Sequence, residues 1–200
     1  MNYLTVKKKI GPRKESSKYQ AVLVATRELV EAEGYRKLTV KSISSKANVS
    51  RNLIYNWWDG DIQKIIEEAL LPNVAEWKTP STGALTTDLQ KFIDMSTDAL
   101  HQPHVLAGYL ELASSVVDNP EALQKTNIMF RKPYAKMLKA ILENAKQRGE
   151  LSDFDATGAI DHTSLAQIIS GCILQFAITK KPGKRKAKKL VLESVLKLLK

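Results

Sequence analysis

The side chains best suited to chemistry lie in and just before the segment VSRNLIYNWW (49–58). Types that can form hydrogen bonds to bases or phosphates occur at Thr39, Lys41, Ser50, Arg51, Asn52 and Tyr55. Arg51 and Asn52 can each form two hydrogen bonds to a base edge in the major groove of DNA. Lys41 and Tyr55 are donors suited to phosphate oxygens. This grouping predicts a surface that contacts nucleic acid.

Two short helices are required to position these side chains. Thr39 favours the start of a helix through Lys46, and Ser50 favours the start of a helix that ends near Trp58. Ala47-Asn48-Val49 forms a turn between them, because Asn48 accepts a left-handed conformation at low cost. This spacing is typical of a helix-turn-helix, whose second helix enters the major groove. An ordinary helical hairpin would have the same periodicity, so spacing alone leaves both interpretations open.

The rest of the chain also has apolar residues at helical spacing, and it lacks the alternating β-branched runs of strands. We therefore predict an all-α protein. The first helix is expected to begin with a capping box of Ser17 and Gln20 and to end at Gly34. The helices predicted after the helix-turn-helix span 61–77, 86–101, 103–117, 120–148, 155–179 and 184–199. Pro133 is expected to kink or split the long helix over 120–148.

The segment KTPSTGALTT (78–87) is the clearest linker-like stretch. It divides the chain into a helix-turn-helix domain at 15–75 and a larger helical domain at 79–200. The punctuation of the second region, with Pro120 at a first helical position, supports several separate helices there.

The charge is unevenly distributed along the 200 residues, whose net charge is +10. Residues 1–60 hold 12 Lys or Arg against 5 Asp or Glu, whereas residues 61–120 hold 3 against 9. A basic first region followed by an acidic one suggests that the first region binds a polyanion, although many charge runs are simply solvated. We expect the basic residues at the start of the chain to add DNA affinity: Lys7, Lys8, Lys9, Arg13 and Lys14. A loose terminus that contributes nothing is the alternative.

Several classes of protein are disfavoured by the composition. No apolar run approaches the roughly 18 residues that a membrane span needs, and the first residues lack the apolar core of a secretory signal. One cysteine, Cys172, cannot form a disulfide within the chain. We expect a cytoplasmic protein that contacts no membrane.

An enzyme or a metal protein is not expected either. The three histidines have no ligand-like spacing, so we expect no metal site. No phosphate-binding loop, nucleophile elbow or glycine-rich dinucleotide fingerprint occurs, so we expect no cofactor and no catalytic residue.

The segment EGYRKLTVKSISSKANVSRNLIYNWW resembles the DNA-binding region of tetracycline-repressor-type (TetR family) regulators. The positions that match the family pattern are Gly34, Thr39, Ile43, Ala47, Val49, Ser50 and Tyr55. The resemblance covers roughly residues 15–75 and departs from the pattern at Ser44, where Ala is usual, and Asn48, where Gly is usual. Asp61 stands where many members have a phosphate-contacting Lys, so no such contact is carried over. Lys64, one turn later, is a weaker substitute.

The resemblance assigns different roles to the two adjacent tryptophans. Trp58 stands where the family has a Phe that packs in the three-helix core. Trp57 stands where the family has a His or Tyr that contacts a DNA phosphate, and an indole N–H can donate to such an oxygen. We therefore expect Trp57 to contact the DNA backbone. Packing of Trp57 on the following helix or on the linker is the alternative.

The resemblance also implies a regulatory second domain. A small-molecule effector would bind among its helices, and the candidate lining residues are Met95, Tyr109, Met129, Phe130 and Tyr134, although residues of these types are often plain core. The apolar last two helices would form a homodimer interface, with a monomer core as the alternative.

Together these features predict a homodimeric repressor that a ligand releases from a palindromic DNA operator. The alternative is a helical interaction protein or an enzyme in which the helix-turn-helix is only scaffold.

Overall fold

The computed structural model describes residues 16–34, 37–72, 74–116, 124, 130–151 and 161–199. These residues form nine α-helices, and none of them lies in a strand, so the prediction of an all-α protein is confirmed. The helices are α1 (Ser17–Glu33), α2 (Val40–Ala47), α3 (Arg51–Trp58), α4 (Ile62–Leu70), α5 (Leu85–Leu100), α6 (Pro103–Val116), α7 (Lys132–Gln147), α8 (His162–Thr179) and α9 (Lys184–Leu198). The chain divides into two compact units, Met1–Leu71 and Pro72–Lys200.

The first unit contains α1 to α4, and α1 packs against both α2 and α4. Its core is formed by large side chains that are almost fully buried: Val22, Ile43, Ile54, Trp58, Ile65 and Leu70. α1 ends at Gly34 with φ 79°, as predicted. The predicted capping box at Ser17 is wrong, because the hydroxyl of Ser16 accepts the hydrogen bond from the backbone N–H of Tyr19. The cap therefore lies one residue earlier.

The single helix expected over 61–77 is also wrong. α4 ends at Leu70, and Leu71 is extended, with φ −100° and ψ 137°. The cause is Pro72, because a proline ring disfavours the helical conformation of the residue before it. Val74–Glu76 then forms a separate 3-10 turn. The chain therefore leaves the first unit through a break, without a continuous helix.

The second unit is built around α5, α7, α8 and α9, which enclose one apolar core, while α6 packs on α5. The centre of this core consists of aliphatic and aromatic side chains with little or no exposure: Leu89, Phe92, Leu138, Ile141, Leu165 and Ile169. Burial of such side chains contributes about 1.5–3 kcal/mol each relative to exposure. This core holds the four helices together.

Two of the predicted helices lie partly outside the described residues. The prediction over 120–148 falls on the gaps at 117–123 and 125–129, as does Pro120. Pro133 lies in the first turn of α7, a position where proline costs little because no hydrogen bond is lost. The start of the helix predicted at 155 falls in the gap at 152–160, and its described part begins at His162. The basic residues before Ser16 also lie outside the described part.

Candidate nucleic-acid interface and cavity

The turn between α2 and α3 is fixed by short-range hydrogen bonds. Asn48 ends α2 in the left-handed conformation, with φ 52° and ψ 46°, as the sequence predicted. The hydroxyl of Ser44 donates to the carbonyl of Val49 at 2.6 Å. Ser44, a departure from the family pattern, therefore braces the turn. The sequence analysis gave it no such role.

The start of α2 places two of the expected DNA-contacting residues at the surface. The hydroxyl of Thr39 accepts a hydrogen bond from the backbone N–H of Ser42, and the Ser42 hydroxyl accepts one from the Thr39 N–H, each at 3.0 Å. Thr39 is thus confirmed as a helix cap and remains exposed. Lys41 is also exposed and forms no ion pair with any described residue, whereas Lys46 in the same helix pairs with Glu28.

α3 buries one face and leaves the other open. Ser50 caps the helix by accepting from the backbone N–H of Leu53 at 3.4 Å. Ile54 and Trp58 are buried, whereas Arg51, Asn52 and Tyr55 are exposed. Residues three and four apart lie side by side on a helix, so these exposed side chains form one polar patch. No ion pair joins Arg51 to another described residue, and its guanidinium is available to a ligand.

The ring of Tyr55 lies against the backbone of Gly60. A β-carbon at position 60 would come within 2.6 Å of the Tyr55 Cδ1 atom, closer than van der Waals contact allows. Gly60 also has φ +72°, a conformation that side-chain-bearing residues rarely adopt. Gly60 therefore allows both the turn after α3 and the position of the half-exposed tyrosine.

The two adjacent tryptophans form a cluster with Tyr19 of α1. Trp58 is stacked on Tyr19 at a ring distance of 4.5 Å, and Trp57 meets the same ring edge-on at 5.4 Å. Trp58 is 3% exposed, so its expected burial in the core is confirmed. Trp57 is half-buried, and it packs on α1, a contact that the sequence analysis did not consider. Its contact with DNA remains a prediction.

Glu68 of α4 ties this aromatic cluster together. Its carboxylate accepts from the Tyr19 hydroxyl at 2.5 Å and from the Trp58 indole N–H at 3.0 Å. Burial, together with the neighbouring Glu68 carboxylate, raises the pKa of Tyr19 far above its ordinary value. Tyr19 therefore stays a neutral donor and orients α3 on α1 and α4.

The start of α4 is capped by an acidic residue. Asp61 caps the helix, accepting from the backbone N–H of Gln63 at 2.9 Å. Lys64 forms an ion pair with Asp59 at 3.2 Å. The pairing makes Lys64 a weaker phosphate donor than Lys41.

The second unit contains a partly open cavity between α5, α6, α7 and α8. It encloses about 90 Å³ and is partly open to solvent. Most of its wall is apolar, formed by Pro72, Val74, Trp77, Ala99, Leu100, Val105, Tyr109, Phe130, Tyr134 and Ile173. Ser96, Ser170 and Arg131 are the polar members of the wall. A mostly apolar cavity with a few polar groups is the usual form of a small-molecule site.

Three of the five residues expected to bind a ligand line this cavity, namely Tyr109, Phe130 and Tyr134. Met95 is not among the lining residues, because its neighbour Ser96 takes that direction and adjacent helical positions point about 100° apart. Met129 lies outside the described residues. Trp77 and Arg131 also line the cavity, and neither was among the residues expected from the sequence.

The hydroxyl of Tyr134 is the unusual polar group of the cavity. It is buried and has no hydrogen-bond partner within the described structure. The nearby Ser96 hydroxyl donates instead to the carbonyl of Phe92 at 2.7 Å. Burial raises the pKa of Tyr134 far above its ordinary value. The cavity therefore presents a neutral donor that lacks an acceptor.

The last two helices expose several large apolar side chains. Ile168 and Ile178 on α8 are 42% and 46% exposed, and Leu190 and Leu198 on α9 are 38% and 42% exposed. Exposed apolar side chains on two neighbouring helices are compatible with a surface that binds another protein, and the dimer interface expected here stays a prediction.

None of the described helices combines the length and apolarity required to cross a membrane. Within the same residues, no three histidine, cysteine or acidic side chains lie close enough together to hold a metal ion.

Comparison with known sequences gives two matches to family profiles. The profile described as bacterial regulatory proteins, tetR family, matches residues 22–69. The profile described as the tetracyclin repressor-like C-terminal domain matches residues 79–178. The uncharacterized HTH-type transcriptional regulator YdeS of Bacillus subtilis is 24% identical over 152 residues, covering 72% of this chain and 73% of its own. A regulator of the same description from Mycobacterium tuberculosis is 25% identical over 144 residues, covering 70% and 69%.

Solved structures share the fold. The regulator FadR from Bacillus subtilis, in complex with stearoyl-CoA, superposes with a TM-score of 0.69 at 22% identity, over 88% of this chain and 97% of its own. A TetR transcription regulator from Haloarcula marismortui gives 0.68 at 17% identity, over 91% and 96%.

Proposed function

The chain belongs to the TetR family of DNA-binding transcriptional regulators, and we propose that it is a homodimeric repressor released from a palindromic operator by a small apolar ligand. Members of this family bind DNA operators, typically as dimers. The observation that carries the proposal for this chain is the open face of α3, where Arg51, Asn52 and Tyr55 are exposed together above a buried core.

The proposed DNA contacts divide into two groups. Arg51 and Asn52, directly after the Ser50 cap, contact base edges and give sequence discrimination. Thr39, Lys41, Tyr55 and the exposed part of Trp57 contact phosphates and set the position of the helix. Lys41 supports this division because it is exposed and carries no ion pair within the described structure.

The experiment that tests the proposal starts with DNA fragments recovered from the source genome by the purified protein. Binding of a recovered fragment and of random duplex is then measured by fluorescence anisotropy at several salt concentrations. Lys41→Ala should weaken both and lower the slope of log affinity against log salt by about one. Lys46→Ala is the matched control, because its charge is already paired with Glu28 at 3.1 Å. Salt-independent, weak binding by the wild-type protein would favour a scaffold role for the helix-turn-helix.

The exposed apolar side chains of α8 and α9 support a dimer through these helices. Ile168→Glu with Ile178→Glu would place carboxylates in the interface, so we expect monomers by sedimentation velocity. Leu110→Glu on α6 is the control, because Leu110 is equally exposed at 41% but lies on another helix. A double variant that sediments as the wild-type dimer would contradict this interface.

The cavity supports control by a small apolar ligand. Its wall includes Pro72, Val74 and Trp77, which follow α4 directly in the chain, so a ligand that shifts this wall acts on the segment leaving the DNA-binding unit. The connection from the cavity to the DNA-binding unit therefore runs through the segment after Leu70 and not through a continuous helix over 61–77. A ligand must prefer one state by about 2.7 kcal/mol to release the operator a hundredfold.

The first probe for this control is stearoyl-CoA, because the similar FadR was solved with it. We expect stearoyl-CoA to raise the dissociation constant of the operator complex in anisotropy titrations. Unchanged operator binding by a protein that does bind the probe would show that the cavity is not coupled to DNA.

A further inference from the structure

A second recess adjoins the apolar cavity, and we call it the basic groove. Trp77 and Thr79 line one part of it, and Lys132, Lys136 and Met137 of α7 line another. Val74 and Trp77 line both the cavity and the basic groove. The two recesses therefore share a wall, which places the basic groove directly beside the cavity.

The basic groove holds positive charge that no described residue neutralises. Lys132 and Lys136 are one helical turn apart and exposed, and neither forms an ion pair with a described residue. Like charges at this spacing repel each other. Lys139, in the same helix, is instead paired with Glu143 at 3.6 Å. Among the described residues, no acidic side chain lines the basic groove, since Glu76 in the neighbouring turn is not part of its wall.

The cavity beside the groove has the opposite chemistry. Its wall is mostly apolar, and Arg131, the residue before Lys132, is its charged member. Tyr134, two residues further along, contributes the buried hydroxyl that has no acceptor. Successive residues of this segment therefore face two recesses, one suited to an apolar chain with a hydrogen-bond acceptor and one suited to an anion.

We propose that the basic groove binds the phosphate-bearing head group of an amphiphilic effector whose apolar chain occupies the cavity. The proposal rests on the proposed function, because it takes the cavity as the effector site. A phosphate fits better than a single carboxylate, since it carries close to two charges and three acceptor oxygens for two lysine ammonium groups. The apolar chain of the effector carries a hydrogen-bond acceptor of its own, such as an ester or amide carbonyl. This acceptor lies within reach of the Tyr134 hydroxyl.

The test uses two probes with the same chain and different head groups, dodecyl phosphate and dodecanol, each below its critical micelle concentration. Isothermal titration calorimetry at low salt measures binding to the full-length protein. The wild-type protein should prefer dodecyl phosphate, and Lys132→Gln with Lys136→Gln should weaken that probe by roughly tenfold while leaving dodecanol unchanged. Lys132→Arg with Lys136→Arg should retain the preference. Lys139→Gln is the matched control for net charge on α7.

Each other outcome overturns the proposal in a distinguishable way. If the double glutamine variant binds both probes as wild type does, the head group lies elsewhere, while the cavity remains an effector site. If Lys139→Gln loses as much as the double variant, the preference reflects overall charge. If neither probe binds the wild-type protein but operator binding is intact, the effector site itself is wrong and the inference fails with it.

Discussion

The two units of the molecule differ in how most of their helices begin. In the first unit, every helix is capped by the side chain of the residue before it, at Ser16, Thr39, Ser50 and Asp61. In the second unit, Asp161 caps α8 in the same way, but the residues before α5, α7 and α9 provide no side-chain cap. Ala84, which precedes α5, has no polar side chain. The backbone N–H of Leu85 donates instead to the carboxylate of Glu150, 65 residues later in the chain, at 2.7 Å.

This difference determines how each unit responds to substitution. The exposed polar face of α3 belongs to a unit whose helices are each capped by the residue before them. Its exposed side chains can therefore be substituted with little effect on the fold. The cavity wall includes α5, whose first turn is held by the distant carboxylate of Glu150, and side chains packed on the apolar core, so changes in the wall alter stability and ligand binding together. Predictions about the two units can therefore be tested separately, by DNA binding for the first and by unfolding for the second.

Substitutions on the exposed face of α3 are expected to have the largest effect, which is on DNA binding. Arg51→Ala and Asn52→Ala should each reduce discrimination between the operator and random DNA by about 1–3 kcal/mol. Both side chains are exposed, so the melting temperature should change little. Competition titrations of operator against random duplex measure the discrimination, and differential scanning fluorimetry measures the stability. Wild-type discrimination in both variants would place the base contacts on another surface.

A smaller effect on DNA binding is expected from Gly60→Ala. The new β-carbon would displace the Tyr55 ring, and the positive φ adds strain of about 1–2 kcal/mol. Gly34→Ala is the control, since Gly34 also has positive φ but a β-carbon there would meet nothing within 4 Å. Both variants should lose stability in urea unfolding, and only Gly60→Ala should also lose operator affinity. Equal losses of operator affinity in the two variants would mean that the loss comes from backbone strain alone. The position of the Tyr55 ring would then not depend on Gly60.

In the cavity wall, a substitution is expected to raise the stability of the protein. Tyr134→Phe removes a buried hydroxyl that has no partner in the described structure, so the unliganded protein should gain about 1 kcal/mol of stability. For a chain of this size that gain corresponds to a rise of about 2–4 °C in melting temperature. Tyr109→Phe, in the same wall, is the control and should leave the melting temperature unchanged, because its hydroxyl is not among the buried groups without a partner. A destabilised Tyr134→Phe variant would show that the hydroxyl has an acceptor in solution.

The same difference explains how far the sequence could predict the structure. Thr39, Asn48 and Ser50 were assigned correctly as a cap, a left-handed turn residue and a cap because each acts on backbone within a few residues. The break at Pro72 was equally local, and the rule that a proline disfavours helix at the preceding residue would have found it. The contact of Trp57 with α1 depends on how helices pack, and no spacing in the sequence reveals it.

The second unit was predictable only as a set of helices. Tyr109 and Tyr134 were chosen by residue type, but the approach of α6 to α7 and the shared wall at Trp77 come from tertiary packing. The bond from Leu85 to Glu150 is of the same kind, since nothing near Ala84 in the sequence indicates a distant carboxylate as the cap.

The smallest effect concerns that distant cap and its dependence on pH. The hydrogen bond from the Leu85 N–H, followed by that from Arg148, lowers the pKa of Glu150 below its ordinary value. The stability that Glu150 adds is therefore fully present above the pKa of the unfolded chain, about 4.3, and is lost as the pH falls through the lower pKa of the folded protein. Glu150→Gln keeps an acceptor for Leu85 but has no charge. The free energy of unfolding of this variant in urea should therefore fall less steeply than that of the wild type as the pH is lowered from about 5 into the acid range. Glu143→Gln is the control, because Glu143 makes only an exposed pair with Lys139. An identical pH dependence in wild type and Glu150→Gln would mean that the charge of Glu150 adds no stability at the start of α5. The contrast between local and distant caps would then depend on the neutral hydrogen bond to Leu85 alone.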